Sequence, residues 1–387
     1  MIPYGKQNIT QNDIDAVIEV LQSDFITQGP QVPAFETALS AYTSAKYAIA
    51  TNSATSALHI ACQALNLKSG DWLWTSPISF VASANCGRYC DASIDFVDID
   101  PDTYTLCPQA LEKKLIAAKK KNRLPKVVIP VHLAGHACNM EAIHLLSKKY
   151  HFSIIEDASH AVGAQYQQRP VGCCQYSDIT VFSFHPVKII TTGEGGVALT
   201  NNAQLAENMS LYRSHGITRD IECMGRKEEG PWYYEQLTLG QNYRLTDIQA
   251  ALGLSQLRRL DEFVVMRRKL VERYQSLLVA LPLTLPIERP QVYSSYHLYI
   301  IRLQLDKTHK THKEVFEELR TAGIGVNLHY IPIYKQPYYE QHLIKTDSYD
   351  NAENYYREAI SLPLFPLLSE AEQCHIASTL HAVLENK

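Results

Sequence analysis

One lysine sits where its chemistry would change. In the run Phe182-Ser183-Phe184-His185-Pro186-Val187-Lys188, the lysine follows a stretch dense in aromatics and is closed off by Gly193-Glu194-Gly195-Gly196. An apolar wall disfavours a charged ammonium, lowers its pKa and frees the amine as a nucleophile. A solvated surface lysine is the commoner fate of any lysine, and the surrounding aromatics argue against it here. A carboxylate stands in Ile154-Ile155-Glu156-Asp157-Ala158-Ser159-His160. Asp157 would lie just past the end of a buried strand, where open α/β sheets bind ligands; the plainer alternative is a helix cap. In Asn52-Ser53-Ala54-Thr55-Ser56-Ala57, a strand gives way to a helix whose first N–H groups and dipole suit an anion, again with a simple cap as the alternative. The stretch Gly240-Gln241-Asn242-Tyr243-Arg244-Leu245-Thr246-Asp247 precedes a long helix, with Thr246 or Asp247 as its cap.

A phosphate cradle, an acid at a strand end and a lysine after the next strand together fit pyridoxal 5′-phosphate. The lysine forms a Schiff base, the carboxylate keeps the ring nitrogen protonated so that the ring serves as an electron sink, and helix-end donors hold the phosphate.

The elements that must position these groups alternate. Strands are expected at 47–51, 72–75, 94–97, 126–131 and 152–156, with helices at 55–65, 81–89, 108–119 and 140–149 between them. Such alternation predicts an α/β fold with parallel strands, because a parallel pair needs a long crossover. An earlier helix follows Thr10, with Ile14, Val17, Ile18 and Leu21 at helical spacing. Strands at 179–184 and 197–200 flank the glycine-rich turn, and one long helical region runs over 246–279. Beyond Pro282, Pro286 and Pro290, strands at 299–303 and 325–330 and helices at 313–321, 352–359 and 369–384 predict a smaller α+β domain. The division expected is 1–255 for a large domain and 256–387 for a small one.

Composition narrows the function classes. The chain has 387 residues, 46% hydrophobic and 20% charged, with a formal charge of −4. That is too apolar for a disordered chain, and the only basic run, Lys119-Lys120-Lys121, gives no track for nucleic acid. No apolar run approaches the ~18 residues of a membrane span, and no signal-peptide core opens the chain. A cytoplasmic protein is expected. The nine cysteines are scattered without a C-x-x-C pair, so no metal site is expected and reduced thiols are.

At 52–57, 182–188 with its 193–196 tail, and 242–247, the sequence resembles the sugar-nucleotide aminotransferases of pyridoxal-enzyme fold type I. The resemblance runs from Ser23-Asp24-Phe25-Ile26-Thr27-Gln28-Gly29 to Ser361-Leu362-Pro363-Leu364. Within that family, 75–82, 213–216 and 329–334 are similar to the branch acting in pseudaminic acid synthesis. The resemblance implies a large domain with a mostly parallel central sheet flanked by helices, and a smaller C-terminal α+β domain. It implies Lys188 as Schiff-base lysine and proton shuttle, Asp157 at the ring nitrogen, and His160, where relatives often have Gln, at the ring hydroxyl. Phe80 would stack on the ring. Ala54, Thr55 and Ser183 would hold the phosphate, with Asn242 reaching in from a second subunit of a homodimer. Tyr4, Asp24, Phe25, Ile26, Thr27, Ser53, His329, Tyr330, Ile331, Pro332 and Tyr334 would meet the substrate. The implied substrates are a UDP-linked 4-keto-6-deoxy sugar and L-glutamate. Ala54 stands where many relatives have Gly, and Tyr334 where many have His. The competing expectations are amination at C3 or of a dTDP- or GDP-linked sugar, and a ligand-sensing protein that kept the fold. A dehydratase with His in place of the lysine is disfavoured by Lys188 itself.

Overall fold

The computed structural model describes residues 1–226, 230–342 and 348–385. Strands β1 (Tyr47–Thr51), β2 (Trp72–Thr75), β3 (Ser93–Phe96), β4 (Val127–Ile129), β5 (Ser153–Asp157), β6 (Ile179–Ser183) and β7 (Gly196–Thr200) form one sheet in the order β1-β7-β6-β5-β4-β2-β3. Only β7 runs against its neighbours; β6, β5, β4, β2 and β3 pair in parallel. Successive strand residues point to opposite faces. Val128, Ile154, Phe182 and Val197 therefore join one core, while Val127, Ile155, Val181 and Ala198 join the other. A sheet covered on both faces explains why its strands read as continuous apolar runs.

Register gathers the functional strand ends. Gly196 pairs with both Thr51 and Ser183, and Asp157 pairs with Val181. The turn after β1, the end of β6 and the end of β5 thus share one edge of the sheet. Gly196 must be glycine there, because a Cβ on it would lie 2.4 Å from the Ala54 nitrogen.

The C-terminal part carries its own three-stranded antiparallel sheet, with Tyr299–Leu303 between Leu283–Thr284 and Ala359–Leu362. The helices Leu260–Leu278, His312–Thr321 and Glu370–Glu385 contribute Tyr274, Leu319 and Ile376 to its core.

One helix forms where the sequence places it, and two other elements depart from the sequence reading. The helix Gln11–Leu21 turns its apolar stripe outward, leaving Ile14, Ile18 and Leu21 exposed while Asp13 and Val20 are buried. Asp13 draws it inward by accepting hydrogen bonds from Ser255 Oγ at 2.6 Å and Gln256 Nε2 at 2.9 Å, and by pairing with Arg259 at 2.6 Å. The long helical region is two helices, Asp247–Leu257 and Leu260–Leu278, parted where Arg259 leaves helical geometry. The segment 325–330 is no strand. Asn327 makes a single bridge to Ser361, and the adjoining Gly325 is held by its N–H to the Ile2 carbonyl at 2.7 Å.

Thr246 is the helix cap, with Gln249 completing a capping box. Asp247 does something else. Its buried carboxylate accepts the backbone N–H groups of Gly29 at 2.5 Å, Gln31 at 3.1 Å and Val32 at 3.0 Å, capping the helix Gln31–Thr43 across more than 200 residues of sequence. Removing it strands three donors. Asp247→Ala should lower the unfolding free energy by about 3 kcal/mol, read in urea as a shifted midpoint with an unchanged slope.

Candidate active site

A cavity of about 800 Å³ opens at the edge where β1, β5 and β6 end. On one side the helix Ala54–Ala64 points its N-terminus into it. Ser53 caps that helix, its Oγ accepting from Ser56 N at 3.1 Å, and Ser56 Oγ donates to Asn52 Oδ1 at 2.7 Å. These bonds hold the turn open, with Ser53, Ala54, Thr55 and Ser183 all lining the cavity. A helix start with unused N–H groups and flanking hydroxyls is a site for a phosphate.

Asp157 lies on the cavity wall and is buried. Its Oδ2 accepts from Ser83 Oγ at 2.6 Å and its Oδ1 from Ser159 N at 3.1 Å, and Ser83 is itself paired with Ser79 at 2.7 Å. Directly behind it, Glu156 and His132 form a buried pair at 2.7 Å, with Ser177 and Thr180 also donating to Glu156. The Cys138 N–H donates to His132 Nδ1 at 3.1 Å, so the ring gives the hydrogen on its Nε2 to Glu156.

Lys188 sits in the turn after β6, its N–H bonded to the His185 carbonyl at 2.9 Å. The loop is closed by Phe184 N to Gly195 O at 2.9 Å and Thr192 N to Phe184 O at 3.0 Å, with Gly193 at φ +79° making the return. Lys188 keeps some accessible surface through the cavity, while the protein around it strips water from its amine. That desolvation lowers its pKa to about 8 against the opposing pull of Asp157.

Three imidazoles complete the wall. His160, His297 and His329 are each buried, and each is held well below the usual histidine range, first by desolvation and then by the Lys188 amine among other neighbouring charges; His329 falls to about 3. All three are therefore neutral at physiological pH. His329 Nδ1 is 2.8 Å from Ser361 Oγ, and the Tyr355 hydroxyl donates to the His329 carbonyl at 2.5 Å. Phe80, 58% exposed, presents its ring at the cavity, 6.2 Å from the ring of Tyr330.

Of the residues expected from the sequence, Tyr4, Ser53, Ala54, Thr55, Phe80, Asp157, His160, Ser183, Lys188, His329 and Tyr330 line this one cavity. Asn242 does not; it is exposed and bridged to Ser214. Asp24, Phe25, Ile26 and Thr27 also stand outside it, tied down by the Thr27 to Thr246 bridge and by Asp247 N to Ile26 O at 3.1 Å. Ile331 and Pro332 lie beyond the lining. Tyr334 turns away, donating to Glu353 at 2.7 Å and stacking on Tyr349 at 4.9 Å. Sequence reasoning missed Ser79, Ser83, Glu194, His297 and Asn327. His297 left a signal: Ser294, Ser295 and His297 are polar residues packed just ahead of an apolar strand, and all are buried.

The donor set fits pyridoxal phosphate. A helix N-terminus faces the cavity, a buried carboxylate stands ready for a pyridinium, a deprotonatable amine lies within its field, and the buried Nδ1 of His297 has no partner. Fold and site together define a pyridoxal-phosphate-dependent aminotransferase. The chain belongs to the DegT/DnrJ/EryC1/StrS aminotransferase family, which it matches over residues 7–381, and it is a sugar aminotransferase. It is 38% identical over 387 residues to the UDP-4-amino-4,6-dideoxy-N-acetyl-β-L-altrosamine transaminase of Campylobacter jejuni, covering 100% of this chain and 98% of that one. It is 35% identical to the spore coat polysaccharide biosynthesis protein SpsC of Bacillus subtilis, over 95% of this chain and 93% of the other. Among solved structures, Helicobacter pylori PseC, an aminotransferase of pseudaminic acid biosynthesis, superposes with a TM-score of 0.90 at 34% identity and 99% coverage of both chains. The pyridoxal-phosphate form of a sugar aminotransferase from Streptococcus pneumoniae gives 0.88 at 30% identity, covering 99% of this chain and 98% of that chain. Among the described residues, no helix is long and apolar enough to cross a membrane.

The depressed lysine has a direct consequence. In cofactor-free protein the rate of aldehyde capture by Lys188 should rise with pH and level off above about 8, whereas an ordinary lysine climbs on to ~10.4. Stopped-flow absorbance on adding pyridoxal phosphate reads this, and the phase should be missing in Lys188→Ala. The same shift makes stability rise with pH between the folded and unfolded values, because there the unfolded chain binds the extra proton.

Proposed function

We propose that this protein moves the amino group of L-glutamate to the C4 ketone of UDP-2-acetamido-2,6-dideoxy-β-L-arabino-hex-4-ulose, giving UDP-4-amino-4,6-dideoxy-N-acetyl-β-L-altrosamine. The observation that carries the reading is a desolvated Lys188 amine in the field of a buried Asp157, at the mouth of a helix N-terminus. Its sugar is supported by the Campylobacter jejuni relative and by the likeness to PseC. When bound, pyridoxal phosphate supplies the electron sink that stabilises a carbanion beside the transferred nitrogen. Asp157 keeps a proton on the pyridine nitrogen, its own geometry set by Ser83 and Ser159. Thr55, Ser183 and the N–H groups of the helix Ala54–Ala64 hold the phosphate. Phe80 covers one face of the ring and keeps water from it. Lys188 Nζ takes the proton from the glutamate α-carbon, and in the second half-reaction delivers a proton to C4 of the sugar. Its pKa near 8 lets it do both at physiological pH.

The reading includes a homodimer. Asn242 is exposed and lies outside its own cavity, as a residue serving a second copy would. Ile14, Ile18, Leu21, Phe25, Ile26 and Trp232 expose apolar surface that a partner would cover. It also includes a division near residue 255 between a large cofactor-binding domain and a small C-terminal one.

Incubation with glutamate and a panel of UDP-, dTDP- and GDP-linked 3-keto and 4-keto sugars, with NMR of the product, tests the substrate. The C4-aminated altro product is expected, and faster amination at C3 or of another nucleotide's sugar would displace the reading. Lys188→Ala should fold, by circular dichroism, and lose roughly 10⁴-fold or more in turnover. Sedimentation of the active enzyme should give a dimer, and a fully active monomer would remove the role given to Asn242.

A further inference from the structure

The hydrogen-bond directions around His160 are set by its neighbours. Its Nδ1 lies 3.2 Å from the backbone N–H of Ala134. A peptide N–H can only donate, so this Nδ1 carries a lone pair, and a neutral imidazole with a bare Nδ1 keeps its hydrogen on Nε2. Nε2 in turn lies 3.1 Å from the Tyr330 hydroxyl oxygen. It therefore donates to that oxygen. The Tyr330 oxygen, occupied as an acceptor, is left with its own hydrogen to give away, and no described residue accepts it.

The imidazole is clamped in this pose. His297 packs on it with ring centroids 4.4 Å apart, and the Tyr330 ring lies 6.0 Å away at an interplanar angle of 23°. The titratable groups that face the pair are Asp157, Lys188, His297, His329, Tyr4 and Tyr355. Burial, then the Lys188 amine and His329, keeps His160 neutral, while burial and the Asp157 carboxylate keep the Tyr330 phenol protonated. The relay thus runs one way, from Ala134 N–H through His160 to the Tyr330 hydroxyl and out into the cavity.

A pyridoxal phosphate has three polar parts besides the carbon bound by lysine. The ring nitrogen needs an acceptor, which Asp157 provides, and the phosphate suits the helix N-terminus. The 3-oxygen, anionic in the bound ring, needs a donor. We propose that Tyr330, and not His160, donates to the 3-oxygen of the pyridoxal ring, with His160 as the positioning residue that sets the direction of the donation. This rests on the cofactor reading above and revises the role that resemblance implied for His160. A glutamine in this place would keep both bonds. In this tautomer an imidazole accepts at one end and donates at the other, as a carboxamide does.

Two measurements test the assignment. In the cofactor-free protein, long-range ¹H–¹⁵N correlation of the His160 ring should show a bare Nδ1 and a protonated Nε2 from pH 6 to pH 9; a protonated Nδ1 overturns the relay. In the loaded enzyme, the pH titration of the visible absorption reads the proton shared between the 3-oxygen and the Lys188 nitrogen. A donor to that oxygen favours the form the proton has left, so it holds the apparent pKa down. Tyr330→Phe should raise it by about one to two units. His160→Leu should raise it too, and His160→Gln should restore the wild-type value, which a merely structural role for His160 would not do. An unmoved pKa in Tyr330→Phe, or no rescue by His160→Gln, overturns the proposal. Absence of any visible band when pyridoxal phosphate is added to the wild type overturns the cofactor reading along with it, whereas a band with an unmoved pKa overturns this assignment alone.

Discussion

The structure turns on a contest over one proton. Taking the Lys188 amine out of water drives the proton off, and the Asp157 carboxylate pulls it back; desolvation wins and leaves the pKa near 8. With no buried carboxylate the amine would be more readily neutral but would lack a partner for a pyridinium. With more solvent it would be an inert ammonium. Much of the fold serves that balance. β5 and β6 are adjacent and in register, so the carboxylate and the lysine loop emerge side by side from the same sheet edge. Gly196 lets β7 pass close enough to bring the helix Ala54–Ala64 to the same edge.

The remaining polar groups of the cavity are mostly uncharged. Its three lining histidines with depressed pKa values are neutral, and no arginine lines it among the described residues. Negative charge is therefore met chiefly by backbone N–H groups and hydroxyls, which are fixed in place and cost no reorganisation when a ligand arrives. Fixed direction matters more in such a wall than net charge. Ala134 N–H decides which nitrogen of His160 carries a proton, and that decides which way the Tyr330 hydroxyl points its hydrogen. Behind Asp157, the Glu156–His132 pair does comparable work by filling a buried polar space with satisfied bonds.

Much of this could be read in the residues. The strand–helix alternation predicted the parallel sheet, and the strands at 47–51, 72–75 and 299–303 and the helix at 108–119 stand where the periodicity placed them. Lys188, Asp157 and the turn at 53–55 converge on one cavity. What the residues do not show is which way an apolar face turns. Ile14, Ile18 and Leu21 have core spacing, yet Asp13 sets the orientation of their helix through a buried network with Ser255, Gln256 and Arg259. Nothing local marks that network, because its partners are more than 240 residues away. Of the two caps open for the helix Asp247–Leu257, Thr246 serves, and Asp247 instead takes its donors from Gly29, Gln31 and Val32, far away in the chain.

By itself the sequence determined most of the element types and the strand–helix order of the large sheet, and it singled out Lys188 and Asp157, which the fold brings to one cavity. Those follow from period, composition and local turn chemistry, which act over a few residues. Tertiary structure alone decided which strand neighbours which, how far Lys188 is desolvated, which nitrogen of His160 bears hydrogen, and that Tyr334 turns to Glu353 rather than into the cavity. Each of these depends on atoms distant in the chain and close in space, through solvent exclusion and hydrogen-bond direction, and neither quantity exists until the chain has folded.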